Sequence, residues 1–152
     1  MSGIYIKDYG FVTYDEKDLF VFRDGLLGYP ELQNFLPLSI NDEEDNTLLY
    51  LQAIENDNVA FVVINPDVFI EDYALELREE EKKYLGITDE TEVCCYLVMV
   101  IQEDPLENSV NLKCPLVVNT KTRQGMQVIL ENPAYTLSHK LGSFGSMTNS
   151  IG

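Results

Sequence analysis

VCCYLVMVI, residues 93 to 101, decides the class of fold. Its nine apolar residues run unbroken between Glu92 and Gln102. A membrane-spanning helix needs roughly 20 such residues, so this run is far too short to be one. A continuous rather than alternating apolar run reads as a strand covered on both faces. VAFVVI, residues 59 to 64, has the same character. Both runs are expected to be the most buried strands of a barrel or sandwich, with Phe61, Val63, Tyr96, Val98 and Val100 in the core.

Working outward, short strand-like runs recur at close spacing with turn residues between them, which predicts an all-β fold. GIYIKDYGFVTYD (residues 3–15) reads as a hairpin or two short strands, and DLFVFRDG (18–25) as a strand ending at Asp24-Gly25. Phe35 to Ile40 follows a turn or single helical turn at Pro30–Gln33. LLYLQAI and VAFVVI, joined by ENDN, read as a hairpin. LREEEKKYLG (77–86) predicts a helix around Glu79–Leu85 that stops at Gly86. No internal repeat or linker interrupts residues 1–141, so one mainly β domain, a barrel or a sandwich, with one or two short helices is expected there. Residues 142–152, GSFGSMTNSIG, are uncharged and rich in Gly, Ser and Asn, and read as a frayed tail.

The 152 residues, 45% of them hydrophobic, can form a core without disulfides or metal. A chain of this size buries roughly 68–70% of its unfolded surface. The three cysteines, Cys94, Cys95 and Cys114, are odd in number and two are adjacent. That is a poor disulfide framework and fits small reduced core residues in a cytosolic protein. The N-terminus lacks a basic region followed by a long apolar one, so no secretory signal is read. A cytoplasmic monomer without membrane attachment is expected.

Charge dominates the composition: 26 acids against 10 bases, net −16. Such a chain is repelled by phosphate backbones, which excludes direct nucleic-acid binding. It attracts a basic protein partner and steers its approach, or the acidity serves solubility alone. Both readings stand at this point.

Catalytic signatures are scarce. One histidine, His139, cannot build a His-rich metal site. GSFGS at 142–146 has neither the preceding strand nor the following helix of a nucleophile elbow. NDEEDN at 41–46 has contiguous acids and lacks the glycine of a calcium loop, so it reads as a solvated loop. Acids are too abundant for any one carboxylate pair to be informative. A binding protein without cofactor or metal is favoured over an enzyme.

VNLKCPLVVN, residues 110–119, has strand composition interrupted by Pro115. Proline lacks the N–H of a fully paired strand and suits an edge or bulge. A bulge at Cys114-Pro115 would shift the alternation, with Asn111 and Asn119 tying off loop backbone at either end. Either this is a bent strand pinned by its asparagines, or the bend opens an edge for a partner segment. On the second reading Asn111, Lys113 and Asn119 are partner-binding candidates.

Five stretches, in order and with compatible spacing from about residue 5 to about residue 141, together resemble the bacterial flagellar assembly factor FliW family. They are FRDGLLGY (22–29), LQAIENDNVAFVVINP (51–66), Phe69 with Asp72-Tyr73, NLKCPLVVN (111–119), and QVIL (127–130) with Tyr135. The family's turn more often has proline where Leu27 stands, and alanine where Cys114 stands; both changes are conservative. The resemblance implies a small β-barrel-like fold and a cytoplasmic protein that binds flagellin. It also implies binding to CsrA, the small basic RNA-binding regulator, whose repression of flagellin translation is thereby relieved. Free flagellin then displaces CsrA, and secretion of flagellin reverses the switch.

On that resemblance Tyr29 and Phe69 are candidate anchors for flagellin's apolar helical ends, although burial in the core is an equal reading for both rings. Glu71, Asp72, Glu103 and Asp104 are the acids expected to steer CsrA, ahead of Asp42, Glu43, Glu44 and Asp45. Two other classes stay open: a flagellin-binding chaperone or scaffold without a regulator partner, and a small carboxylate-dependent enzyme.

Overall fold

The computed structural model describes residues 2–6, 9–40, 48–68, 70, 73–89, 92–100, 103–104 and 107–140. These residues form strands β1 (Ser2–Ile6), β2 (Gly10–Tyr14), β3 (Phe20–Phe22), β4 (Asn34–Ser39), β5 (Leu48–Ala53) and β6 (Ala60–Ile64). Helix α1 (Glu79–Leu85) follows, then β7 (Val93–Val100), β8 (Ser109–Val110), β9 (Leu116–Asn119), β10 (Gln124–Gln127) and β11 (His139–Lys140). Single 3-10 turns occupy Glu16–Asp18 and Pro66–Val68. No helix among the described residues is long and apolar enough to cross a membrane.

Seven strands close on themselves in the order β7–β6–β5–β4–β3–β10–β9 and back to β7. Every neighbouring pair in the ring is antiparallel except β3 and β10, which run parallel. Closure removes the exposed sheet edges that an open arrangement would leave. The fold is therefore mainly β with a barrel, as the strand spacing predicts. Its interior is filled by inward residues of successive strands, among them Phe20, Phe22, Phe35, Leu51, Val63, Tyr96, Leu116 and Val118.

Outside the barrel, the hairpin of β1 and β2 packs Ile6 and Tyr14 with Leu19 and Leu36, reaching Leu38 and Tyr50. Helix α1 covers another part of the wall, with Leu85 against Val117, Val128 and Leu130. Its acids lie in the first turn and its lysines in the last, matching the helix dipole. It stops at Gly86, which takes a left-handed φ of 67°. Gln52 is a buried polar side chain on β5. Its amide donates to the carbonyls of Ala53, Asp57 and Val59, and so shapes the loop to β6.

Three expectations are corrected. First, β6 and β7 are not the most buried strands. Val63 and Tyr96 are core residues, but Phe61 and Val98 are only partly buried and Val100 is 51% exposed. Both faces of β7 do meet apolar clusters, Cys94, Tyr96 and Val98 inside and Leu97 and Met99 outside. Its C-terminal end runs out past that cover. Strand β9 is buried at all four positions, sealed between the barrel interior and α1.

Second, of the turn and the helical turn read at Pro30–Gln33, the turn forms and the short helix does not. Third, residues 110–119 are not one bent strand. Both β8 and β9 pair with the same edge of β7, Met99 facing Val110 and Tyr96 facing Leu116. Leu97 and Val98 thus stand opposite the five residues Asn111–Pro115, a wider excursion than a bulge at Cys114-Pro115.

Candidate functional site

The excursion is tied down by its own chain. Asn111 Oδ1 accepts from the backbone N–H groups of Lys113 (3.1 Å) and Cys114 (2.9 Å). The carbonyl of Lys113 accepts from Leu130 N (2.8 Å), that of Pro115 from Val128 N (2.9 Å), and that of Leu112 from the Tyr73 hydroxyl. Asn119 is 1% exposed; its amide donates to Leu85 O (2.8 Å) and its Oδ1 accepts from Lys121 N and Thr122 N. Asn111 and Asn119 therefore act as internal ties, and residues 128–136 already fill the edge that the bend opens. Lys113 is half-buried beside them.

The Gly-Leu-Leu-Gly-Tyr turn presents a different kind of surface. Leu26 and Tyr29 exchange backbone hydrogen bonds, Leu26 N to Tyr29 O at 3.2 Å and Tyr29 N to Leu26 O at 2.8 Å. The two residues between them are Leu27 and Gly28, the latter at φ 83°, which glycine adopts freely. Leu26 points into the barrel end, while Leu27 is 56% and Tyr29 38% exposed. The Tyr29 ring meets Phe61 edge-on at 5.4 Å, and Phe61 continues to Phe35 and Phe22. Tyr29 is thus the solvent-facing end of an aromatic chain that starts in the core.

The turn is fixed from outside as well. Leu27 N donates to Gln127 Oε1 at 2.8 Å, and Gln127 Nε2 donates to Cys114 O at 3.1 Å. One side chain joins three of the quoted motifs. Beside the turn lies a cavity of 280 Å³ lined by Asp24, Pro30, Tyr84 and Met126 among others. Rigid backbone, two exposed apolar side chains and an adjoining cavity suit an apolar partner surface. Leu27 and Gln127 were not singled out from sequence. A large apolar residue at the centre of a tight turn was the available signal for Leu27, because such positions point to solvent.

Glu103 and Asp104 are exposed and line an open cleft with Glu107, Ser109, Ser138 and Lys140. Lys140 Nζ pairs with Glu107 at 2.9 Å, and this carboxylate raises the lysine's pKa. The cleft and the Leu27–Tyr29 turn share no lining residue. Phe69, Glu71, Asp72, the acids Asp42 to Asp45 and the tail 142–152 lie outside the described residues.

Among the described residues, Cys95, Cys114 and Tyr73 are held in their neutral forms. Burial pushes the Cys95 thiol up to about 12 and also raises Cys114, away from the thiolate needed for nucleophilic attack. Burial likewise raises the Tyr73 hydroxyl well above its ordinary value. Among the described residues no group of three His, Cys, Asp or Glu side chains is placed to hold a metal ion.

A family model described as FliW protein matches residues 4–141. The flagellar assembly factor FliW of Caldanaerobacter subterraneus subsp. tengcongensis is 38% identical over 135 residues, 89% of each chain. That of Thermoanaerobacter pseudethanolicus is 37% identical over 135 residues, again 89% of each. That of Clostridium tetani is 36% identical over 135 residues, 89% of this chain and 92% of the other. A crystal structure of the flagellar assembly factor FliW superposes with a TM-score of 0.84 at 29% identity, covering 92% of this chain and 96% of that one.

Proposed function

The chain belongs to the FliW family, and from that premise we propose that it binds flagellin in the cytoplasm and antagonises the regulator CsrA by partner switching. The observation that carries the flagellin half is the pair Leu27 and Tyr29, exposed on a turn whose backbone is locked by Gln127. An apolar helical end of flagellin gains by laying its apolar stripe on such a surface, the helix-in-groove mode. The rigidity matters because little ordering entropy is then lost on binding. The CsrA half rests on the net charge of −16 and on the exposed carboxylates of Glu103 and Asp104. Acids held near an RNA-binding protein attract its basic surface and repel RNA phosphates. The role is one of binding, without a catalysed reaction, and the relatives' names describe assembly rather than turnover.

The test is titration of purified flagellin and CsrA against the chain and against the double variant Leu27→Ser/Tyr29→Ser. The variant is expected to keep its fold and CsrA affinity while losing flagellin affinity at least about tenfold, as removal of two interface anchors does. Unchanged flagellin binding would remove the turn from the interface. Flagellin binding without any CsrA binding by the parent chain would leave a scaffold alone.

A further inference from the structure

The barrel wall has a gap beside β7. Strand β6 pairs with β7 from Val62 opposite Met99 to Ile64 opposite Leu97, and there it ends. The next position, opposite Cys95, is Pro66, which has no N–H and turns into the 3-10 segment Pro66–Val68. Which β7 groups face that gap follows from the ladder. Val98 O accepts from Asn111 N at 3.0 Å, so even-numbered β7 residues bond toward β8 and β9. Ala53 N donates to Val59 O at 3.0 Å, so odd residues of β6 bond β5 and its even residues bond β7. Val93 and Cys95 therefore turn their backbone N–H and C=O groups toward the gap. Among the described residues no backbone group beyond Ile64 takes them up.

The gap opens into a cavity of 660 Å³, within the roughly 300–1,000 Å³ of ligand sites. Asn65, Pro66 and Asp67 bound it on one side, and the stretch Tyr73 to Leu77 with Ile87 on the other. Its lining mixes apolar Tyr73, Leu75 and Val93 with exposed acids Asp67 and Glu76. The lining cation Lys82 is already paired with Glu79 at 3.6 Å, whereas neither Asp67 nor Glu76 forms an ion pair with a described residue.

We propose that this groove is a docking site for an extended, basic segment of a partner polypeptide, which adds to the β6-side edge of β7 as a short strand. The backbone groups of Val93 and Cys95, which no described residue takes up, suit a partner with main-chain donors and acceptors, which a small apolar ligand lacks. The apolar walls take alternate side chains of such a strand. Asp67, Glu76 and the net −16 select lysine or arginine at the others. This chain's own last residues are poor candidates: 142–152 carry no charge, and the described chain leaves from the opposite edge of β7 through β8 and β11. The assignment stands independently of whether flagellin or CsrA is bound at the Leu27–Tyr29 turn or the acidic cleft.

The experiment is an NMR titration of the full ¹⁵N-labelled chain with a synthetic peptide of alternating lysine and valine. Expected are shifts centred on the Val93 and Cys95 amides and about tenfold slower exchange of those two protons, as a newly formed ladder bond brings. A peptide of alternating glutamate and valine, and a lysine–valine peptide N-methylated at alternate residues, should not bind. Asp67→Asn/Glu76→Gln should weaken the lysine–valine peptide about fivefold at low salt, the scale of two exposed charge pairs. Shifts that map elsewhere, or equal binding of the acidic peptide, overturn the proposal. So does strong protection of both amides in the free chain, since the edge would then be occupied by this chain or by a second copy.

Discussion

Gln127 Oε1 accepts the backbone N–H of Leu27 at 2.8 Å across 100 positions of sequence. The same side chain donates to Cys114 O at 3.1 Å, so the exposed turn and the Asn111–Pro115 excursion are held as one unit. Gln127→Ala removes both bonds. The expected cost is about 1–2 kcal/mol, a fall in Tm of about 2–8 °C for a domain this size. Thermal unfolding by circular dichroism checks the stability; flagellin affinity should fall alongside it because the turn loses its brace. An unchanged Tm would show that the bond does not hold the turn.

The two asparagines that bracket residues 111–119 should differ in cost. Asn119 is buried and bonds Leu85 O, Lys121 N and Thr122 N, joining the end of α1 to the turn after β9. Asn111 is half-buried and bonds Lys113 N and Cys114 N. Asn119→Ala leaves buried groups without partners and should cost about 2–4 kcal/mol, against about 1 kcal/mol for Asn111→Ala. Urea unfolding midpoints measure both, and equal midpoints would refute the ranking.

These ties also show where sequence reading stopped. The strand spacing, the β1–β2 and β5–β6 hairpins, and the end of α1 at Gly86 were legible, because they depend on local pattern and turn chemistry. VNLKCPLVVN was legible as interrupted by Pro115 and flanked by useful asparagines. Its split into β8 and β9 was not, since that depends on Leu130 and Val128 bonding back to Lys113 and Pro115. An uninterrupted apolar run overstated the burial of β7, because composition does not show that Val100 extends beyond its cover. Tyr29 was read from its motif alone; its exposure follows from the Leu26–Tyr29 pairing, which only the folded turn reveals.

Gly25 sets the entry to that turn. It has φ 69°, and a Cβ there would lie 2.5 Å from the carbonyl oxygen of Pro30. Backbone on both sides cannot yield as a flexible side chain would. Left-handed strain of about 1–2 kcal/mol then adds to overpacking of about 1–3 kcal/mol. Gly25→Ala should therefore destabilise the chain by more than about 2 kcal/mol and disturb Leu27 and Tyr29 together. Gly28→Ala, with open space around its Cβ, should incur only the strain. Paired chemical denaturation of the two variants checks the difference, and equal costs would count against the clash with Pro30.

Acid sensitivity should be traceable to Glu92. Lys121 Nζ donates to its carboxylate at 2.7 Å, and this bond holds the Glu92 pKa below its ordinary value. A depressed carboxylate contributes stability that is present above its unfolded pKa of about 4.3. That contribution is lost as pH falls through the lower folded value. Lys121→Gln should therefore lower stability at neutral pH while reducing the part of it that acid removes. Urea unfolding at pH 7 and pH 3.5 should show the variant and parent converging at the lower pH. A constant gap between them at both pH values would assign the effect of Lys121 to packing.

The steering of a basic partner is the remaining expectation. Glu103 and Asp104 sit exposed at the cleft beyond β7, where Lys140 pairs with Glu107 at 2.9 Å. Charges so exposed act mainly on encounter and are screened beyond about 8 Å at physiological salt. Glu103→Gln/Asp104→Asn should slow CsrA association about threefold at low salt and flatten its dependence on ionic strength, with little change in dissociation. Stopped-flow association at two salt concentrations measures this. If rate and salt slope both stay at the parent's values, the field comes from acids elsewhere among the 26, or the charge serves only to keep the chain in solution. A changed dissociation rate with an unchanged salt slope would instead place Glu103 and Asp104 inside the contact itself, because desolvated pairs act on lifetime rather than on approach.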